Sequence, residues 1–94
     1  MDEYVRIGKM ITVGIGEKTY ILSKEQVEFL MRIAKGDLEY LDKMREEKES
    51  MFYRRVFKLR RKGLISPERG FPYRLSSEGE KVVKVLERYY GGKL

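Results

Sequence analysis

Cysteine and histidine are both missing from the 94 residues, asparagine is missing too, and glutamine occurs once, at Gln26. Without cysteine, neither a disulfide framework nor a thiolate metal site can form, and without histidine the usual transition-metal ligands are gone. Acid-base or nucleophilic catalysis would then fall to serine, lysine, tyrosine or paired carboxylates. The carboxylates that cluster, Glu46, Glu47 and Glu49, alternate with Arg45 and Lys48 in the pattern of a salt-bridged surface, so no enzymatic activity and no cofactor are expected. No apolar run approaches the ~20 residues that span a bilayer. The first ten residues, MDEYVRIGKM, carry acids where a secretion signal needs bases, which gives the expectation of a cytoplasmic protein with no membrane partner. A chain this short supports one modest core. Its 38% charged residues and scarcity of labile side chains lean towards a thermophile composition.

The positive charge is concentrated in one place. From Ser50 to Arg74 the chain has eight bases (Arg54, Arg55, Lys58, Arg60, Arg61, Lys62, Arg69, Arg74) against one acid, Glu68, a segment charge of +7; with a total of +6, the rest of the chain sums to −1. A segment so charged suits a polyanionic partner. On a helix over residues 50–62, Phe52, Val56 and Leu59 fall on one stripe that faces a core. Met51, Arg54, Lys58 and Arg61 gather opposite, flanked by Ser50, Arg55 and Lys62, with no acid among them. Arg60 lands near the apolar stripe and is expected to snorkel out at the helix end. Gly63 is placed to terminate the helix in a left-handed conformation. Beyond it LIS and YRLS read as two short strands around PERGFP, which holds both prolines of the chain; Tyr73 and Leu75 share one strand face, while Arg74, and Arg69 in the loop, point outward.

The remaining elements follow from periodicity and caps. β-branched residues dominate from Tyr4 to Leu22, predicting strands in a small meander or a single hairpin, with turns at Gly8–Lys9 and over residues 14–18. The string GIGEKT lacks the glycine spacing of a phosphate-binding loop and is read as a turn. SKEQ, from Ser23, is a capping box opening a helix whose stripe is Val27, Leu30, Met31 and Ala34, widened by Phe29 and Ile33. Gly36 ends that helix and Asp37 caps a second, which buries Leu38, Leu41 and Met44. Residues 24–49 hold six bases and eight acids and read as a solvated surface. A last helix runs from about Ser77 to Tyr90, with SEGE as its capping box and Gly91–Gly92 at its end. Val82, Leu86 and Tyr89 are expected to face the protomer's own core and Val83 and Tyr90 to point out.

A helix ending in LRRKGLI, a hairpin ending in YRLS and then SEGEKVVKVL resembles the winged helix-turn-helix family, particularly small regulators of the MarR and PadR type. The resemblance covers roughly residues 23–90. It implies an α+β fold: a winged helix-turn-helix of three helices plus a wing β-hairpin, here with an extra N-terminal β-hairpin. The expected layout is one domain, with strands over 1–22, helices including the helix-turn-helix over 23–62, the wing over 63–76 and a C-terminal helix over 77–90. Where that family has a short glycine-bearing turn, this chain has REEKES, Arg45 to Ser50, as the elbow.

By the resemblance, the helix before KGLI is the recognition helix. Ser50, Met51, Arg54, Arg55 and Lys58 are then the candidates for base contact, Arg61 and Lys62 for phosphate, and Arg69 and Arg74 for the backbone or adjacent minor groove. The expected partner is double-stranded DNA, since a helix of this kind fits its major groove but not the deep, narrow groove of duplex RNA. The expected function is sequence-specific transcriptional regulation; the alternative is a winged-helix module that binds an acidic protein. The two-sided apolar pattern of the last helix adds the expectation of a homodimer joined through it.

Overall fold

The computed structural model describes residues 2–68 and 70–91. Three strands come first: β1 (Glu3–Ile7), β2 (Ile11–Ile15) and β3 (Lys18–Leu22), antiparallel in the order β1-β2-β3. Of the two expected arrangements, a small meander or a single hairpin, the chain forms the meander. The residues assigned to a five-residue loop contract to a turn at Gly16 and Glu17, with Gly16 at φ +60°, which leaves Gly14 and Ile15 to extend β2. Register pairs Val5 with Val13 and Val13 with Tyr20, so Val5, Ile11, Val13, Ile15, Tyr20 and Leu22 share the core face. On the other face Tyr4 sits opposite Gly14, and a Cβ on Gly14 would lie 2.0 Å from the Tyr4 ring. The missing side chain makes room for an aromatic cover.

Four helices follow: α1 (Lys24–Lys35), α2 (Leu38–Glu47), α3 (Glu49–Arg61) and α4 (Ser77–Tyr90). The described residues thus form an α+β fold, a three-stranded antiparallel sheet with four helices. Ser23 forms the capping box of α1: its Oγ accepts from the Gln26 N–H at 3.0 Å, and the Ser23 N–H donates to Gln26 Oε1 at 2.9 Å. Val27, Phe29, Leu30, Met31 and Ile33 are buried, whereas Ala34 is exposed. Asp37 caps α2 by accepting from the Tyr40 N–H at 3.2 Å. Of the three residues expected to bury that helix, only Leu41 is fully covered; Met44 is half-buried and Leu38, in the first turn, is 49% exposed.

Two boundaries differ from expectation. The Arg45–Ser50 elbow is not a turn: α2 continues to Glu47 and α3 begins at Glu49, leaving Lys48 alone between them at φ −138°, ψ 57°. The backbone passes without a gap, Lys48 N–H bonding to Met44 O and its carbonyl accepting from Phe52 N–H. Helix-favouring Arg, Glu and Lys side chains explain why no extended turn opens there. At the start of α4 the cap is Ser76, whose Oγ accepts from the Gly79 N–H at 3.0 Å, so Glu80 is one residue too far along to complete the expected box from Ser77.

The outward and inward sides of α4 also exchange residues. Val82, Val83, Val85 and Leu86 are all buried, Val83 at 5% exposure, because the chain's own sheet and α1 cover both sides of the helix. Tyr89, expected inside, is 53% exposed, and Tyr90, expected outside, packs on the core. The second apolar face that motivated a homodimer through this helix is therefore covered within the chain. Arg88 further fastens α4 to β1 through Glu3 at 2.5 Å. No helix among the described residues is long and apolar enough to cross a membrane.

The sheet and α4 also meet through a polar pair. The Tyr20 hydroxyl donates to Glu78 at 3.0 Å, with Lys18 and Lys81 nearby at 3.7 and 3.6 Å. This hydrogen bond, reinforced by the two lysines, holds the Glu78 carboxyl below its ordinary pKa, while burial and then Glu78 itself push the Tyr20 phenol up. A depressed carboxyl stabilises the fold above its unfolded-state pKa, and that contribution is lost as pH falls through the lower folded value; the raised phenol acts below its unfolded pKa and is lost as pH rises past it. Tyr20→Phe is expected to flatten the acid limb of stability against pH from the ordinary carboxylate range downward. Urea melts of both proteins across that range check it, and identical acid limbs would exclude the pair as the cause.

Candidate nucleic-acid interface

The cationic segment is built on α3. Phe52, Val56 and Leu59 are buried at i, i+4 and i+7, and this stripe fixes which way the rest of the helix faces. Glu49 in the first turn and Lys58, Arg60 and Arg61 in the last complement the helix dipole. Lys48 supplies no side-chain cap, so packing of Phe52 rather than a cap holds the start of the helix. At the other end Gly63 takes φ +80°, its N–H bonds to Arg60 O at 2.9 Å, and Leu64 N–H reaches Leu59 O at 3.0 Å. That is a Schellman ending with buried Leu59 and Leu64 side chains beneath it.

Opposite the buried stripe lie Arg54, Lys58 and Arg61, all exposed, with Ser50 at the start of the same face. None of these three cations pairs with a carboxylate among the described residues. Some bases elsewhere do pair, among them Arg32 with Asp37 at 2.8 Å, Arg45 with Asp42 at 2.6 Å and Arg88 with Glu3 at 2.5 Å. The charge on α3 is left open to solvent by the absence of acids on its outward face.

The other predicted residues separate into distinct surroundings. Arg55 is half-buried and, with Met51, lines a groove of about 410 Å³ between α1, α2 and α3 that also holds Glu25, Glu28 and Glu47. Lys43 and Lys48 line the same groove, so Arg55 sits in a mixed-charge lining to the side of the ridge. Lys62 stays exposed but donates from Nζ to Ile21 O at 2.7 Å, tying the end of α3 to β3. Arg74 is exposed in the segment after α3. Arg69 lies outside the described residues.

That segment forms less regular structure than two strands. A single antiparallel bridge joins Ile65 and Leu75, with Ser66 N–H on Arg74 O at 2.8 Å and Ser76 N–H on Leu64 O at 3.1 Å. Pro67 and Pro72 lack the N–H groups that a longer ladder needs. The loop is held instead by side chains. Arg60 donates from Nε to Ser66 O at 3.3 Å and from a terminal nitrogen to Glu68 O at 3.2 Å, while its guanidinium lies 5.4 Å from the Tyr73 ring centroid. Arg60 thus works as a strut rather than escaping to solvent. Phe71 and Tyr73 pack with ring centroids 6.2 and 6.1 Å from that of Phe52, and Arg45 stacks over Phe71 at 4.4 Å.

One residue on the ridge has no counterpart in the sequence expectations. Phe57 is 57% exposed, the most exposed large apolar side chain among the described residues, and Arg61 lies over its ring at 5.6 Å. Its helical spacing, three after Arg54 and four before Arg61, was the signal that places it on the outward face. No family model, no curated protein and no solved structure matches the chain.

Proposed function

We propose that this protein binds double-stranded DNA sequence-specifically as a winged helix-turn-helix regulator, with α3 as the recognition helix in the major groove and the 63–76 hairpin against the backbone or minor groove. The observation that carries the reading is the outward face of α3, where Arg54, Lys58 and Arg61 stand exposed on one side of a single helix with no acid among them and no carboxylate partner among the described residues. Supporting it is the chain order, in which two helices lead into α3, the glycine stop, a hairpin braced on α3 by Arg60, and a closing helix. In this reading Arg54 and Lys58 contact base edges and Arg61 grips phosphate, while Ser50 and Arg74 contact DNA at the two ends of the surface. Arg55 and Lys62 assist from the flanks, and no homodimer through α4 is part of the proposal.

The test is a titration of random and selected duplexes against salt. If one copy neutralises roughly five phosphates, log K falls against log salt with a slope of about −4 to −5, so affinity drops roughly 250- to 1,000-fold between 50 and 200 mM salt. Arg54→Ala is expected to cost about 1–3 kcal/mol on the selected site and to relax specificity there. A slope near zero on every duplex would overturn the reading. Capture of an acidic protein by a ridge that ignores DNA would replace it with an interaction module.

A further inference from the structure

Phe57 exposes an aromatic ring at a cost. More than half of its surface stays in water, and about 25 cal/mol is forfeited for each Å² of apolar surface left there. Its neighbours on the helix surface are Arg54 at i−3 and Arg61 at i+4, both exposed and unpaired with carboxylates, with Lys58 adjacent. The Arg61 guanidinium at 5.6 Å contacts the ring and so limits where it points. An apolar ring is thus set among three cations, with exposed Tyr53 one turn before it. A polyanion's phosphates would be met by the cations; the ring needs an apolar counterpart lying between them.

In the major groove the base edges present nitrogen and oxygen atoms, and their one apolar feature is the 5-methyl group of thymine. Over a guanine, cytosine or adenine edge the ring would strip water from polar atoms and return no hydrogen bond. Over thymine it buries a methyl group against carbon. We infer that Phe57 is a specificity-determining residue that selects thymine at one position of the bound site through its 5-methyl group. The inference rests on α3 being the groove-reading helix.

The experiment selects binding sites from a random duplex pool, resynthesises the preferred site with deoxyuridine replacing each thymidine in turn, and measures Kd for the wild type and for Phe57→Ala. At one position loss of the methyl should weaken the wild type about fourfold, the magnitude of one buried methyl group. Phe57→Ala should bind the thymidine and deoxyuridine sites equally while keeping the wild-type salt slope, because Arg54, Lys58 and Arg61 remain. Phe57→Leu, which keeps an apolar side chain, should retain part of the discrimination. Because Phe57 is outside the core, the melting temperatures of both variants should match the wild type. Salt-dependent duplex binding with no thymidine preference, or a preference that survives in Phe57→Ala, overturns the role of Phe57 and leaves DNA binding standing. Failure to bind duplex DNA at low salt overturns both.

Discussion

Gly79→Ala is expected to destabilise the protein by about 3 kcal/mol or more, at the upper end of overpacking costs. The sign is the informative part. Alanine in place of glycine within a helix ordinarily stabilises by up to ~1 kcal/mol, since glycine has more backbone freedom to lose on folding. Here a Cβ on Gly79 would lie 2.0 Å from the carbonyl oxygen of Leu64 and 3.0 Å from its carbon. The obstacle is backbone, and that backbone is fixed: Leu64 O accepts from Ser76 N–H, and Leu64 N–H is part of the α3 ending. Ser76 fastens the same joint twice more, its hydroxyl donating to Gly63 O at 2.5 Å and accepting from Gly79 N–H at 3.0 Å. Relief would require α4 to move away from the end of α3, opening the core at Val82 and Leu86. For a domain of this size the loss corresponds to a fall in melting temperature of roughly 12 °C or more. Thermal and urea melts check it; an unchanged or raised melting temperature would show that α4 does not sit so close to Leu64.

Phe52→Ala should cost about 3–5 kcal/mol. Phe52 is fully buried and meets Phe29 edge-on at 5.3 Å and Tyr53 edge-on at 5.2 Å, with Phe71 and Tyr73 tilted against it. It is the point at which the core of α1 meets the hairpin after α3. Truncation leaves a cavity beneath Phe71 and Tyr73 and removes aromatic contacts of about 0.5–1.5 kcal/mol per pair. Local protection should therefore fall together with global stability: amide exchange at Ser66 and Ser76, whose N–H groups hold the hairpin, should accelerate more than exchange in the interior of α1. Phe52→Leu should recover part of the loss. Uniform acceleration throughout the chain would mean that the hairpin draws no special support from this ring.

Helix spans read well from sequence wherever local chemistry decides them. The Ser23 capping box, the Asp37 cap and the Gly63 stop each depend on a few neighbouring residues, and each appears in the structure. The buried stripe of α3 was legible for the same reason, because a 3.6-residue period is a local property. Misplacements occur where partners distant in the chain decide. Which side of α4 carries Val83 and which Tyr89 depends on where the sheet lies, and two serines in succession, Ser76 and Ser77, both fit a cap until packing against Leu64 selects one. The hairpin was expected as paired strands because turn residues mark its loop, but the braces on it come from Arg60, six or more residues upstream. The three cations at the centre of the candidate site were legible by charge and spacing. The division of the remaining bases was not, since only a folded chain shows Arg55 in the groove between α1, α2 and α3 and Lys62 on the sheet.

Arg60 and Lys62 both fasten parts of the fold, and in both cases the acceptor is a main-chain carbonyl rather than a carboxylate. A carbonyl contributes a dipole, which fades quickly with distance, and leaves the monopole of each cation intact. Had glutamates held the hairpin and β3 instead, the same two joints would have removed two units from the +7 of this stretch. Beyond a hydrogen bond's reach and out to a Debye length of about 8 Å at physiological ionic strength, an approaching polyanion responds to net charge. The segment is therefore mechanically braced without being electrically neutralised: the two side chains that brace it still add their charges to the field of all eight bases.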